Sequence, residues 1–388
     1  MIGEYSMDKK TLHELFDYAV KIRRELHQYP EVGFKLDRTV KLVSKELLNS
    51  GIDYTYKYGR SSIVAEIGTG EKIIALRADM DALPVEEKTG LEYSSRIPGH
   101  MHACGHDAHT AILLTVAKYL KSKENELPCK VRFIFQPSEE GAISGAKMMV
   151  DNGVMDGVDY ILCAHCDNSL DAGKIGVCSG NCMSACVPVT IRFTGKASHA
   201  AQPELGIDAN AMAVEAYQSM NKMVKIEGKD IPYIWSVGRI SGGQVHNVIS
   251  DLCEMDISFR FYDLDFSTIV EKNVKEICNK VAEGYGGKCE IIWEMSTGPV
   301  INNKDIVEQF KNIISNENID FQEIEKRMTS EDFGWYLTKT QGMMFRFGTR
   351  NEEMGCSSSL HNSDFMIDEY GMKTAMVAFC SCVMNTFK

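Results

Sequence analysis

One short stretch of the chain, Gly99–Thr110, concentrates residue types that bind transition metals. It reads Gly-His-Met-His-Ala-Cys-Gly-His-Asp-Ala-His-Thr, so four of the ten histidines of the protein lie close to Cys104. Asp79 and Asp81 stand upstream of it. Thiolate, imidazole and carboxylate donors together suit ions such as zinc, manganese, cobalt or nickel. The stretch therefore predicts a metal centre.

Further candidate donors follow predicted strands elsewhere in the chain: Glu139 and Glu140 come after Val131–Phe135, His165 closes Tyr160–Ala164, and His361 lies in a loop after Met343–Phe347. Asp79 and Asp81 likewise follow the predicted strand Ile73–Arg77. Open parallel sheets bind ligands outside the carboxyl ends of their strands. We therefore expect these separate segments to bring their side chains to one place.

The candidate donors divide by chemistry. Five of them suit metal coordination: Cys104, His106, Glu140, His165 and His361. Five ligands exceed the needs of one tetrahedral zinc and suit two ions that share a donor. Glu139, which is not needed as a ligand, is then free to act as a general base. Asp81 is expected to orient an imidazole through its ring N–H group.

The order of predicted elements indicates an α/β protein with a second domain inserted. Before Ala185, strands alternate with helices, and the first helix is predicted from Lys9 to Tyr29. This alternation predicts a sheet covered by helices on both sides. From residue 185 to 297 the order becomes β-α-β-β-α-β, the ferredoxin-like unit, with its first helix from Ala209 to Val224. The α/β pattern then resumes and ends with a helix from Asp368 to Thr386. We therefore predict one domain from 1–184 and 298–388, interrupted by another at 185–297.

Composition narrows the class of protein. A chain of 388 residues with 44% hydrophobic residues is typical of a globular protein with more than one domain. Its formal net charge of -12 argues against nucleic acid and against an anionic membrane as partners. The first ten residues lack the apolar core of a signal peptide, and the 13 cysteines suit a reducing compartment. We expect a cytoplasmic protein.

Several motifs together resemble those of the aminoacylase-like, co-catalytic metallopeptidase superfamily. The similarity is strongest to its amidohydrolase branch, which includes indole-acetyl-amino-acid hydrolase, hippurate hydrolase and N-acetyldiaminopimelate deacetylase. The motifs are Arg24-Glu-Leu-His-Gln-Tyr-Pro-Glu31, Arg77-Ala-Asp-Met-Asp-Ala-Leu-Pro84, Met101-His-Ala-Cys-Gly-His-Asp107, Phe135-Gln-Pro-Ser-Glu-Glu-Gly141, Gly195-Lys-Ala-Ser-His-Ala-Ala201, Asn247-Val-Ile249, Ser330-Glu-Asp-Phe333 and Leu360-His-Asn362.

The resemblance implies a zinc-exopeptidase-like mixed sheet flanked by helices, in which the inserted domain serves as a lid and dimerisation domain. It implies two divalent metal ions on the five donors named above, bridged by Cys104, with Glu139 as base and acid. It also implies that His199 stabilises an oxyanion at the site of a partner subunit in a homodimer or higher oligomer. Asn247 and Arg260 match positions that hold the substrate carboxylate.

The resemblance favours a metal-dependent amidohydrolase that cleaves N-acyl amino acids into a free amino acid and a carboxylic acid. A metallo-carboxypeptidase or dipeptidase is the alternative with the same chemistry, and a non-catalytic metal-binding protein on this fold is the alternative from another class. Two departures concern specificity. The family usually has Gly-Leu-His where this chain has Cys163-Ala-His165, and the following segment Cys166–Asp171, predicted as a loop, lacks the usual aromatic residue or proline.

Overall fold

The computed structural model describes residues 9–222 and 233–385. Three predicted features extend beyond these ranges: the first ten residues, the helix end at Val224 and the helix end at Thr386. The helices are α1 (Lys9–His27), α2 (Asp37–Asn49), α3 (His106–Ser122), α4 (Gly145–Asp151), α5 (Ala209–Asn221), α6 (Leu264–Tyr285), α7 (Lys304–Asn316), α8 (Gly334–Leu337) and α9 (Tyr370–Asn385).

The strands begin with β1 (Tyr54–Thr55), β2 (Ile63–Ile67), β3 (Ile73–Asp79), β4 (Lys130–Gln136), β5 (Tyr160–Asp171), β6 (Ile175–Val177), β7 (Gly180–Met183) and β8 (Ala185–Thr194). They continue with β9 (Ser198–His199), β10 (Tyr233–Gly242), β11 (Val248–Ile249), β12 (Leu252–Phe261), β13 (Lys288–Trp293), β14 (Val300–Asn302), β15 (Phe321–Glu323) and β16 (Gln341–Arg350). The chain divides into two compact units. The first comprises residues up to Cys182, Val300–Lys326 and Asp332 onward, and the second comprises Met183–Pro299 and Arg327–Glu331.

The first unit is built on a mixed sheet of strand order β1-β2-β4-β3-β5-β16-β6-β15. Its central strands β4, β3, β5 and β16 run parallel to one another. Strand β2 pairs antiparallel with β1 and β4, whereas β6 pairs antiparallel with β16 and parallel with β15. Every residue of β3 is buried, as expected for a parallel strand covered on both faces. The mixed α/β architecture predicted from the sequence is confirmed.

The structure corrects two predicted elements near the candidate site. The first helix ends at His27 rather than at Tyr29. The strand predicted to end at Ala164 continues to Asp171, so His165 lies inside β5 and Cys166–Asp171 is strand rather than loop. Strand β16 explains the extension, because its residues up to Gly348 continue the parallel pairing with β5 as far as Asp167.

The second unit contains an antiparallel sheet of order β10-β12-β8-β13. With α5 and α6 in the crossover positions, this is the β-α-β-β-α-β order that the sequence predicts. Alternate residues of β8 and β12 are buried, and they form a core with the apolar faces of both helices. The short segment 327–331 also belongs to this unit, which the sequence pattern did not indicate. Within the described ranges, no helix has both the length and the apolar character required to cross a membrane.

Candidate metal centre

Some of the candidate donors lie at or just after the ends of strands of the first unit. Asp79 is the last residue of β3, and the loop after β4 carries Glu139 and Glu140. Cys104 and His106 bracket the start of α3. Gly105 between them has φ of 78°, and a Cβ atom there would lie 2.4 Å from the Cys166 sulfur. Only glycine therefore allows α3 to begin this close to β5.

Three sets of donor atoms converge, each with its atoms within 4.8 Å of one another. They are Cys104, His106 and His165, then Cys104, Glu140 and His361, and finally His106, Glu139 and Glu140. The Cys104 sulfur lies 3.6 Å from His165 Nε2, and Glu140 Oε1 lies 3.0 Å from His361 Nε2. The structure thus brings together all five predicted metal donors and the predicted base.

Hydrogen bonds fix several of these side chains. His165 Nδ1 lies 2.7 Å from the carbonyl of Cys166, which makes Nδ1 the protonated nitrogen and leaves Nε2 unprotonated toward Cys104. The backbone N–H of His361 donates to the carbonyl of Ala103 at 2.8 Å, which ties the His361 loop to the segment before Cys104. His361 itself has φ of 68°, a left-handed conformation that a non-glycine residue adopts only when its surroundings hold it.

Asp81 holds the loop that carries the two glutamates. Its carboxylate accepts the backbone N–H groups of Glu139 and Glu140 at 2.9 and 3.2 Å. It also lies 3.6 Å from His106 Nδ1, which is longer than a hydrogen bond. Burial raises the pKa of Asp81, outweighing its contacts with His106. The structure thus shows Asp81 chiefly as an acceptor for backbone groups.

The environment of His106 fits a bound cation. The side chain is fully buried, yet within residues 9–222 and 233–385 neither ring nitrogen has a hydrogen-bond partner. Carboxylate oxygens of Asp79 and Glu139 stand 3.7 and 3.9 Å away. Burial lowers the pKa of His106, but the charges of Asp79, Asp81 and Glu140 outweigh it and raise the pKa to about 10. Such an excess of carboxylates is what one or more metal ions would neutralise.

The surroundings of Cys104 and Glu140 also fit a bound cation. Burial, followed by the charge of Glu140, raises the pKa of Cys104 well above its ordinary value. A coordinated cation is the usual means of deprotonating such a thiol. Burial raises the pKa of Glu140, but the His361 hydrogen bond and the charge of His106 outweigh it and lower the pKa. The donor set therefore fits divalent metals.

A buried network behind the centre was not predicted. The Arg77 guanidinium donates to Asp79 at 2.7 Å, to Asp332 at 3.0 Å and to the Gln136 side-chain oxygen at 2.8 Å. The other Asp79 oxygen lies 2.6 Å from His109 Nδ1. An arginine within a predicted buried strand was the available signal, because such a charge needs a buried carboxylate partner.

The predicted residues of the second unit occupy two places within it. His199 of β9 pairs with Val248 of β11, and the carbonyl of Asn247 accepts the N–H of Ala200, so His199 and Asn247 are close neighbours. Both side chains are exposed. Arg260 lies near the end of β12, where its guanidinium donates to the Met328 carbonyl and the Ser330 hydroxyl at 3.2 and 3.1 Å.

Comparison with known proteins agrees with the site. Residues 75–384 match the Peptidase family M20/M25/M40. Thermostable carboxypeptidase 1 of Saccharolobus solfataricus is 35% identical over 379 residues, covering 95% of each chain. IAA-amino acid hydrolase ILR1-like 2 of Arabidopsis thaliana is also 35% identical, covering 92% of this chain and 82% of its own length.

A solved structure gives the same result for the fold. The crystal structure of the Bacillus subtilis YXEP protein, described as a dinuclear metal binding peptidase from the M20 family, matches with a TM-score of 0.83. The two sequences are 29% identical, and the match covers 97% of this chain and 98% of that one. The resemblance inferred from the motifs is confirmed, and the chain belongs to the peptidase family M20/M25/M40.

Proposed function

We propose that the protein is a metal-dependent amidohydrolase that cleaves the amide bond of N-acyl amino acids, releasing a free amino acid and a carboxylic acid. The observation that carries the proposal is the convergence of one thiol, three imidazoles and one carboxylate beside a second carboxylate, Glu139. Membership in a peptidase family supports hydrolysis of an amide bond, and the similarity to an IAA-amino acid hydrolase supports this substrate class.

The five donors would hold two divalent ions. Cys104, His106 and Glu140 each belong to two of the donor sets, and the resemblance to the family implies that the Cys104 sulfur would be the shared ligand. The presence of a thiolate favours zinc, with manganese, cobalt and nickel as the alternatives. When bound, such ions polarise a substrate carbonyl and lower the pKa of a water molecule.

Glu139 is the proposed general base. Its side chain is 10% exposed, so it borders the centre without being sealed from a substrate. Asp81 fixes its backbone through the Glu139 N–H. Glu139 takes a proton from the attacking water and passes it to the leaving nitrogen, which then departs as an amine.

The second unit supplies the remaining proposed roles. His199 donates to the oxyanion that develops on the substrate carbonyl, acting on the site of a partner subunit in a homodimer. Asn247 and Arg260 bind the carboxylate of the substrate. As a lid, this unit would also exclude water from the reaction. We place the protein in the cytoplasm, since 13 cysteines suit a reducing compartment.

A carboxypeptidase or dipeptidase activity is the second candidate. The similarity to thermostable carboxypeptidase 1 favours it, at the same identity as the similarity to the plant hydrolase. Both activities release a free amino acid through the same chemistry. They differ only in whether the group on the other side of the amide is a simple acyl group or an aminoacyl or peptidyl group.

A substrate panel tests the proposal. The purified protein, with its metal content measured, is assayed on N-acetyl and N-benzoyl amino acids, dipeptides and longer peptides. Faster hydrolysis of the acyl amino acids supports the proposal, and faster hydrolysis of peptides supports the second candidate. Full metal occupancy without turnover of any substrate would contradict both and favour a binding protein.

Glu139→Ala is the matched variant for that panel. We expect it to retain metal, because the five proposed ligands remain, and to lose at least about two orders of magnitude in rate. Glu140→Ala is the comparison, and we expect it to lose metal as well as activity. Near-normal turnover by Glu139→Ala would refute the assignment of the base.

A further inference from the structure

A cavity of about 750 Å³ lies in the first unit. None of the proposed metal ligands lines it. Its lining combines apolar or aromatic surface with cations, and includes Tyr29, Phe34, Ile97, Lys35, Arg38 and Arg60. Its volume is within the range that encloses a small organic ligand.

Two of the cations stack on the aromatic lining. The Arg38 guanidinium carbon lies 3.3 Å from the ring centroid of Tyr29, and that of Arg60 lies 4.7 Å from the ring centroid of Phe34. A stacked guanidinium contacts the ring through its flat face, so the N–H groups at its edge remain for an anion. Within the described ranges, the structure records no carboxylate in ion-pair distance of either guanidinium.

The acidic residue in the lining, Glu31, is already used. Its two carboxylate oxygens accept the backbone N–H groups of Arg38 and Thr39, at 3.1 and 2.8 Å, at the start of α2. These N–H groups have no partner within the helix, and the helix dipole adds positive potential there. Glu31 is therefore held by the helix end rather than by either guanidinium, and the three cations of the lining, Lys35, Arg38 and Arg60, outnumber this one carboxylate.

We propose that this cavity is a second ligand site, for a small organic anion that joins an aromatic or apolar body to a carboxylate. The body packs on Ile97 and on the parts of the half-buried Tyr29 and Phe34 rings that the guanidinium groups do not cover. The carboxylate accepts N–H groups from the guanidinium groups of Arg38 and Arg60. Charge complementarity selects the anion, and the rings select the apolar body. The proposal does not rest on the proposed function.

Calorimetric titration of the metal-loaded full-length protein with 3-phenylpropionate tests the site. We expect the Arg38→Ala/Arg60→Ala double variant to bind this probe at least about tenfold more weakly, because it loses charge-assisted hydrogen bonds. The neutral analogue 3-phenylpropionamide should bind the unaltered protein more weakly than 3-phenylpropionate does, by the same factor. Lys57→Ala is the matched control, since the ammonium of Lys57 lies 4.7 Å over Tyr58 and outside the cavity lining.

Metal content and the thermal unfolding transition report whether the double variant is folded. If it is not, Arg60→Gln replaces it, because Arg60 is exposed and its removal leaves α2 intact. An unchanged affinity for 3-phenylpropionate in the folded variant would overturn the proposal. This is also the result expected if the probe binds the metal ions instead of the cavity. Binding of inorganic phosphate as tight as that of 3-phenylpropionate would also overturn it, because phosphate has no apolar body.

Discussion

Glu139 and Glu140 are adjacent in the sequence but differ in their surroundings. Glu140 lies 3.0 Å from His361, and its pKa is lowered, although burial alone would raise it. Glu139 instead stands 3.9 Å from His106, and its side chain is 10% exposed against 14% for Glu140, so the two differ in their partners rather than in their burial. Asp81 accepts both backbone N–H groups, which fixes the loop that carries the two side chains. This difference is the structural basis for assigning one carboxylate to metal binding and the other to proton transfer.

Cys104→Ser tests the shared thiolate. A bound metal deprotonates a thiol readily but a serine hydroxyl far less readily. We therefore expect the variant to bind metal more weakly and to have a lower metal-to-protein ratio. Elemental analysis after dialysis against a weak chelator measures this ratio. Cys186→Ser, a half-buried cysteine of the second unit, is the matched control. An unchanged ratio in Cys104→Ser would argue against Cys104 as a ligand.

At the scale of elements, a buried ion network joins β3 to the segment before α8. Asp332 is fully buried and accepts Arg77, Gln136, the Ser144 hydroxyl and the backbone N–H of Ala146. Arg77 in turn holds Asp79 beside the metal centre. The network therefore connects a strand end that faces the centre to residues far away in the sequence.

Asp332→Asn should destabilise the fold while preserving side-chain shape. It removes one of the two carboxylates that pair with buried Arg77 and leaves a buried donor without its acceptor, which costs about 1–3 kcal/mol while Asp79 remains in place. Denaturant unfolding gives the free energy of unfolding. Asp305→Asn, in the first turn of α7 and outside any ion pair found in the described part of the chain, is the control, with a change of under about 1 kcal/mol expected. A comparably small change in Asp332→Asn would contradict the role of the network.

His27 of α1 should make stability depend on pH. Burial lowers the pKa of His27, but its hydrogen bond with Asp107, its charge interaction with Asp107 and its hydrogen bond with Glu87 outweigh burial and raise the pKa above its ordinary 6.5. A raised pKa stabilises the fold fully below pH 6.5, and this contribution is lost as the pH rises through the folded-state value. We therefore expect the free energy of unfolding to fall as the pH rises from 6.5 through the folded-state value.

The measurement is unfolding at several pH values with metal bound. His27→Gln should be less stable below pH 6.5, and its stability should fall less as the pH rises. His13→Gln, which changes an exposed histidine of the same helix, should keep the slope of the unaltered protein. Equal slopes in His27→Gln and the unaltered protein would show that another group is responsible.

The elements that the sequence predicted well have a strong local pattern. The buried run of β3 and the order of the inserted unit follow from hydrophobic periodicity. The length of β5 did not, because its extension depends on pairing with β16, which is distant in the sequence. The backbone bonds of Asp81 and the partners of Arg77 were missed for the same reason, since a residue type does not reveal which distant loop it will contact.

At the scale of the whole molecule, the proposed roles of the two units make a test of assembly possible. If His199 acts on the site of a partner subunit, a mixed dimer of Glu139→Ala and His199→Ala protomers contains one complete site. That site takes Glu139 from one protomer and His199 from the other. We expect such mixed dimers, purified with two different affinity tags, to recover about half of the activity of the unaltered dimer.

Each variant alone should stay nearly inactive, because every site in it lacks one of the two groups. If His199 instead served its own protomer, each site of the mixed dimer would lack Glu139 or His199. An inactive mixed dimer that retains its metal would therefore disprove action across subunits while leaving the proposed hydrolysis intact.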